Sequence, residues 1–186
     1  LGLRNRAMLE VLYSTGVRRA ELRGIDIADV SFAGGTIFVR QGKGKYDRVV
    51  PVGERALSWI QKYLDDVRSV FANEYSENAL FLSQEGNRIS QDMVTMIVTA
   101  YRKAAGITKK GSAHMFRHTA ATLMLENGAD VRYVQALLGH RELSSTQRYT
   151  HVAIRKLKEV HEKTHPAKFR RRTKKTDRNT YPGESA

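Results

Sequence analysis

The sequence predicts a mainly helical domain with one small antiparallel sheet, an α+β fold. Three observations predict it: apolar residues recurring at three- and four-residue spacing over most of the chain, two β-rich runs separated by a glycine-bearing loop, and cap and glycine signals that divide the helical stretches.

Taken in order, Ala7, Met8, Val11 and Leu12 fall at helical spacing within Arg4–Ser14, and Gly16 ends that pattern. A short helical turn is expected over Arg19–Gly24, with Ile25, Ile27 and Val30 leading into extended chain. Thr36-Ile-Phe-Val-Arg40 and Arg48-Val-Val-Pro-Val52 read as the two arms of a hairpin. The loop between them, Gln41-Gly-Lys-Gly-Lys-Tyr-Asp47, has two glycines able to supply positive φ and puts Lys43 at or near the tip. Ala56, Leu57, Ile60, Leu64 and Val67 make one stripe of a helix over Gly53–Val70. Ala79-Leu-Phe-Leu82 is a short apolar strand or turn, and Ser90 is the expected N-cap of a helix through Ala105, closed by Gly106. After a basic loop at Lys109–Ser112, three more helices are expected: His114–Glu126, Asp130–Leu138 with Asp130 as cap, and Ser144 to about His161.

The composition narrows the partners. Among 186 residues the formal net charge is +13, an excess that an enzyme acting on small neutral molecules does not need, and a polyanion, nucleic acid foremost, is the expected partner. From Lys163 onward eight Lys/Arg face Asp177 and Glu184, a local net of +6, and the rest of the excess belongs to the body. After Pro166 hardly any apolar residue remains, so residues 166–186 are expected to form a basic, flexible tail or to fold onto a partner, with 1–165 as the folded domain. No cysteine is present, which excludes a disulfide framework and a cysteine-ligated zinc site and fits an intracellular, cytoplasmic setting. No run approaches the ~20 apolar residues of a membrane span. The chain opens on Leu1 directly into a helical pattern, from which a longer parent protein with an upstream DNA-binding domain is expected.

Two formal motif matches are set aside. Gly42-Lys43-Gly44 is no P-loop, because Ile37 stands where the first glycine belongs and Gly44 where Ser or Thr belongs. His161-Glu-Lys-Thr-His165 matches the zinc-protease spacing, but it precedes Pro166 and lacks a third ligand downstream, so it reads as a solvated helix end. No metal and no cofactor is expected.

The residues richest in chemistry are Thr15-Gly-Val-Arg18-Arg19-Ala-Glu21-Leu, Gly42-Lys43-Gly44, His114-Met-Phe-Arg117-His118, Leu138-Gly-His140 and Arg148-Tyr149-Thr-His151. His114 and Arg117 are three apart and so share a helix face, where an imidazole and a guanidinium can converge on one anion. A phosphodiester is the anion to expect: the planar fork of arginine matches two phosphate oxygens, whereas lysine offers a point charge or a proton. Glu21 can pair with an arginine and hold it in place.

These motifs, in this order and over the chain to about Val160, resemble the tyrosine recombinase (phage integrase) family. Any one of them alone is weak, since His-x-x-Arg recurs by chance; six filled positions in order are specific. The resemblance implies the catalytic domain of a site-specific recombinase acting on double-stranded DNA, as a tetramer on two sites, as in DNA integration and excision by a mobile element, with phage integrase, transposon and chromosome-dimer roles all left open. It implies a phosphate clamp of Arg18 and Arg117, a hairpin lysine at Lys43, histidines at His114 and His140, and the nucleophile Tyr149. Arg18 is preferred over Arg19 because it follows Thr-Gly-Val directly, and Lys43 over Lys45 because of its flanking glycines. A type IB topoisomerase uses a similar residue set, and a DNA-binding protein without chemistry would keep the basic surface; the short interval from His140 to Tyr149 favours the recombinase.

Overall fold

The computed structural model describes residues 1–40, 47–108, 111–139 and 151–166, with the main chain alone at 151–153. The hairpin tip, the beginning of the last expected helix at Ser144 and the tail beyond Pro166 lie outside the described residues. Among the described residues are eight α-helices, one 3₁₀ turn, one π-type turn and a three-stranded antiparallel sheet, as the α+β expectation required.

Helix α1 (Gly2–Thr15) is the centre of the fold. Ala7, Met8, Val11 and Leu12 are wholly buried, and the helix packs between α3 and α6. It stops at Gly16, which takes φ +61° and returns its N–H to the Leu12 carbonyl, the left-handed stop that glycine adopts without steric cost. α2 (Arg19–Arg23) follows after two residues, then a 3₁₀ turn and β1 (Val30–Ser31), β2 (Thr36–Val39) and β3 (Arg48–Pro51) in the order β1-β2-β3. The register pairs Ile37 with Val50 and Val39 with Arg48, and all four face inward and are buried. Pro51 lies in the outer strand β3, where a missing N–H costs no ladder bond.

The helix expected over 53–70 is interrupted. α3 (Glu54–Tyr63) passes into a wide π-type turn over Leu64–Arg68 and ends in α4 (Ser69–Phe71), so Ile60 and Tyr63 reach the core while Leu64 and Val67 are only half-buried. Ala79–Leu82 makes isolated bridges to Asp26 and Arg88 rather than a strand of the sheet. Ser90 caps α5 (Gln91–Ala104) through its hydroxyl, which accepts from the Met93 N–H, and Asp130 caps α7 (Val131–Leu138) by accepting from the Arg132 N–H. α6 (His114–Glu126) matches its expected span.

α8 (His151–Thr164) runs past the C-terminal end of α1 and against β3, α6 and α7. Here the expected solvated helix end is corrected. His161 and His165 are buried, their rings stack at 4.5 Å, and their Nε2 atoms meet the carbonyls of Ser14 at 2.7 Å and Tyr13 at 3.0 Å. The last carbonyls of a helix have no partner within it, and α8 and the residue after it supply one to each of Tyr13 and Ser14. A carbonyl only accepts, so both Nε2 atoms carry hydrogen and neither is available to a metal. Burial pushes the His161 imidazole below its usual range, against the opposing bond to Ser14. Among the described residues no helix is long and apolar enough to cross a membrane.

Candidate active site

Arg18 enters the site because the left-handed turn at Gly16 throws the chain back and starts α2 immediately after it. The Arg18 N–H donates to Glu21 Oε2 at 2.8 Å and its Nη1 to Glu21 Oε1 at 2.9 Å, so one carboxylate fixes both the main chain and the guanidinium. Its side chain keeps 22% exposure. Arg19 diverges to Thr95 Oγ1, 2.9 Å away on an exposed face. The two neighbouring arginines are therefore distinguished by structure as well as by motif.

Arg117, on the first turn of α6, is 7% exposed. Its Nη1 donates to the Gly16 carbonyl at 2.9 Å and its Nη2 to the Leu138 carbonyl at 2.6 Å. The side chain thus spans the two left-handed turns of the site, that of Gly16 before Arg18 and that of Gly139, φ +67°, before His140. Among the described residues, three of the five guanidinium hydrogens take no acceptor.

Glu21 is also held from the opposite side. Arg48 Nη1 and Nη2 donate to its two oxygens, each at 2.9 Å, in a buried bidentate pair. Burial alone would raise the Glu21 carboxyl, but the hydrogen bonds from Arg48 and from the Arg18 main chain, with the arginine charges, outweigh it and hold the carboxyl below its usual range. Arg117 is pushed down to about 10, by burial first and then by the charges of Arg18 and Arg48, with Glu21 pulling the other way. It remains cationic at neutral pH. Two guanidiniums therefore bond one carboxylate and a third feels its charge, in a largely buried group two positive charges in excess, which is an environment that favours an anion.

His114 stands at the first position of α6, exposed, and Arg18, Arg19, Gln91, Ser112 and His114 line a cleft of about 160 Å³. Arg18, His114 and Arg117 are thus brought to one side of the molecule. Lys43, His140 and Tyr149 lie outside the described residues. Sequence reasoning did not find Arg48, Gln91 or Ser112. A signal existed for Arg48 alone, as a charge at an inward position of an alternating strand. No group of three or more potential metal ligands occurs among the described residues.

Comparison with known proteins identifies the family. The model of the phage integrase family matches residues 1–156. "Tyrosine recombinase XerC 2" of Ralstonia nicotianae (strain ATCC BAA-1114 / GMI1000) is 51% identical over 170 residues, 91% of this chain and 49% of that protein. Tyrosine recombinase XerD of Yersinia pestis is 44% identical over 167 residues, 89% of this chain and 56% of that protein. The chain thus spans about half the length of the curated relatives it matches. Among solved structures, the XerA recombinase superposes with a TM-score of 0.70 at 37% identity, covering 86% of this chain and 58% of that one. The XerH site-specific recombinase, in a pre-cleavage complex with its difH substrate, gives 0.66 at 27% identity, covering 86% and 42%. The family match over residues 1–156 and relatives 51% and 44% identical over about nine-tenths of the chain show that it belongs to the phage integrase family, the family of the tyrosine recombinases.

Proposed function

We propose that residues 1–165 form the catalytic domain of a tyrosine-type site-specific recombinase that breaks and rejoins double-stranded DNA. The observation that carries this reading is the group of Arg18, Arg48 and Arg117 near Glu21, which keeps excess positive charge behind a cleft that Arg18 and His114 line. A backbone phosphodiester, with one negative charge and two non-bridging oxygens, is its complement.

In the reaction the Tyr149 phenol oxygen attacks phosphorus, the new O–P bond forms as the bond to the 5′ oxygen breaks, and a 3′-phosphotyrosine conserves the bond energy for rejoining. The phenol proton leaves with help from His114 and from the cationic site, since tyrosine titrates near ~10 in water. Lys43 gives a proton to the departing 5′ oxygen. Arg18 and Arg117 meet charge growing on the non-bridging oxygens, with a hydrogen bond from His140. Religation is the same sequence in reverse, so no metal, nucleotide or other cofactor enters. The working assembly is a tetramer on two DNA sites, the tail 166–186 adds nonspecific attraction to the duplex, and the setting is the cytoplasm. XerH is solved on its difH substrate, and the relatives from Ralstonia nicotianae and Yersinia pestis are named tyrosine recombinases, which supports recombination over topoisomerase-like relaxation.

The test is covalent trapping. The full gene product and its Tyr149→Phe variant are incubated with a pool of nicked duplexes tiled across the host replicon and resolved on a denaturing gel. The expected result is a denaturation-resistant adduct from the wild type that is absent from the variant. A product that binds its selected duplex yet yields no adduct, or an adduct that persists in Tyr149→Phe, would overturn the reading.

A further inference from the structure

We infer that Arg48 is a positioning residue for the Arg18 phosphate contact, acting from inside the core through Glu21; this rests on the recombinase reading above.

Along β3 the side chains alternate, and Arg48 takes an inward position opposite Val39, on the face shared by Ile37 and Val50. Such positions are apolar by default, because a guanidinium taken out of water is costly unless it is paired. Arg48 is paired with its whole fork: Nη1 to Oε1 and Nη2 to Oε2 of Glu21, both at 2.9 Å. Two parallel bonds fix the plane of the carboxylate, which a single contact would leave free to rotate. That plane is what Arg18 reads, since Glu21 accepts the Arg18 N–H through Oε2 and its Nη1 through Oε1. Arg48 is absent from the cleft lining, so its influence on a phosphate there has to pass through Glu21 and Arg18.

Two further observations give the pair this role in place of simple core filling. The Arg48 Nε is buried without an acceptor among the described residues, so the guanidinium is oriented for Glu21 at the expense of its Nε–H. Against its other side lies Gly139, where a Cβ would stand 3.0 Å from Nε and 3.1 Å from Cζ, closer than packing tolerates without a shift. Gly139 directly precedes His140. One buried side chain therefore touches the turn before His140, fixes the carboxylate that orients Arg18, and sits on the strand that follows Lys43 by five residues.

The experiment compares two substrates. Arg48→Met, Arg48→Lys, Arg18→Met and the double Arg18→Met/Arg48→Met variant are made in the full gene product. Each is assayed for adduct formation on one nicked duplex selected from the pool, carrying at the cleavage position either the natural phosphodiester or a methylphosphonate. The methylphosphonate has a methyl group in place of one charged oxygen, so it has less need of a correctly aimed arginine. The expected result is a loss of about 10²-fold for Arg48→Met on the diester and a loss about tenfold smaller on the methylphosphonate, the pattern of Arg18→Met itself. Arg48→Lys should fall between, and the double variant should be no slower than Arg18→Met by more than about threefold, because residues acting as a unit are not additive. Equal losses on both substrates, additive losses, or no loss would overturn the proposal. The ratio between substrates is read within one preparation, so partial unfolding cancels, and Arg48→Lys supplies it if Arg48→Met fails to fold. Wild type without a Tyr149-dependent adduct would sink the recombinase reading itself; such an adduct with an unmoved ratio sinks only the role of Arg48.

Discussion

Replacing Arg117 with alanine should damage the fold and the chemistry together, by amounts that the structure separates. The buried guanidinium donates to the Gly16 and Leu138 carbonyls at 2.9 and 2.6 Å. Hydrogen bonds from a charged donor contribute about 1.5–3 kcal/mol each, and both carbonyls would be left without that partner. Relief of repulsion from Arg18 and Arg48 offsets part of this, since those charges already push the Arg117 guanidinium down. A net loss of about 2–4 kcal/mol is expected, with two bonds of that strength as the ceiling. For a chain of this size it lowers Tm by about 5–15 °C, at about 2–4 °C per kcal/mol. Arg117→Lys keeps the charge but reaches one carbonyl with a point donor, so about half of that loss is expected. Adduct formation should fall about 10²–10³-fold in Arg117→Ala. Differential scanning fluorimetry and the trapping assay on the same preparations read both quantities. An inactive Arg117→Ala that melts within about 1 °C of wild type would refute the bridging role, and a stable, active one would refute the clamp as well.

Three other outcomes are expected. Gly16→Ala forces a side chain into the left-handed region at about 1–2 kcal/mol and sets its Cβ 2.8 Å from Leu138 Cδ2, so it should melt lower than Gly16→Asn, which tolerates that region better; equal melting temperatures would contradict the strain. Glu21→Gln leaves Arg18 and Arg48 facing a neutral amide, and loss of a buried pair's partner costs about 3–5 kcal/mol; chemical denaturation should show it, while Glu159→Gln, which removes the exposed pair with Lys156, should leave stability unchanged. His161 concerns pH. Its folded pKa lies below the unfolded value near ~6.5 because of burial, so below that pH the unfolded chain binds more protons and stability falls as pH falls. Unfolding free energies at pH 7.5, 6.5 and 5.5 should decline for wild type and decline less for His161→Gln, which retains a donor for the Ser14 carbonyl; parallel slopes would rule His161 out.

The helices that the sequence located well are those with local punctuation. Ser90 and Asp130 cap because their own side-chain oxygens reach an N–H two or three residues on, and Gly16 stops α1 because glycine takes the left-handed conformation at least cost, so each signal lies within one turn of its effect. Where the cause is distant, the reading failed. The helical stripe over 53–70 continues beyond Tyr63, but the wide turn at Leu64–Arg68 rotates Leu64 and Val67 off the buried face, and Arg68 is meanwhile anchored to the Ala79 carbonyl, eleven residues away. His161 and His165 looked like a frayed end because their partners are carbonyls at Ser14 and Tyr13, about 150 residues earlier.

The same division runs through the site. Arg18, His114 and Arg117 were legible because family motifs name them and because a three-residue spacing puts two of them on one face. Arg48 was not, since nothing near it in sequence indicates a carboxylate partner twenty-seven positions away. Its strand position could have raised the question: an arginine alternating with Val50 and Val52 on the inward face must find an anion or unfold the strand. Glu21 answers it, and in doing so becomes common to a core strand and to the loop that carries Arg18 into α2. Arg117 performs the matching task for the two left-handed turns, holding Gly16 and Leu138 to one guanidinium. The arginines of this site therefore fall into different kinds despite equal charge. Arg18 faces the cleft, Arg48 holds Arg18 from behind, and Arg117 joins the two loops while keeping donors in reserve. A motif can report the first and third, since both stand in recognisable strings, whereas the second becomes visible only when the strand register and the carboxylate geometry are laid side by side.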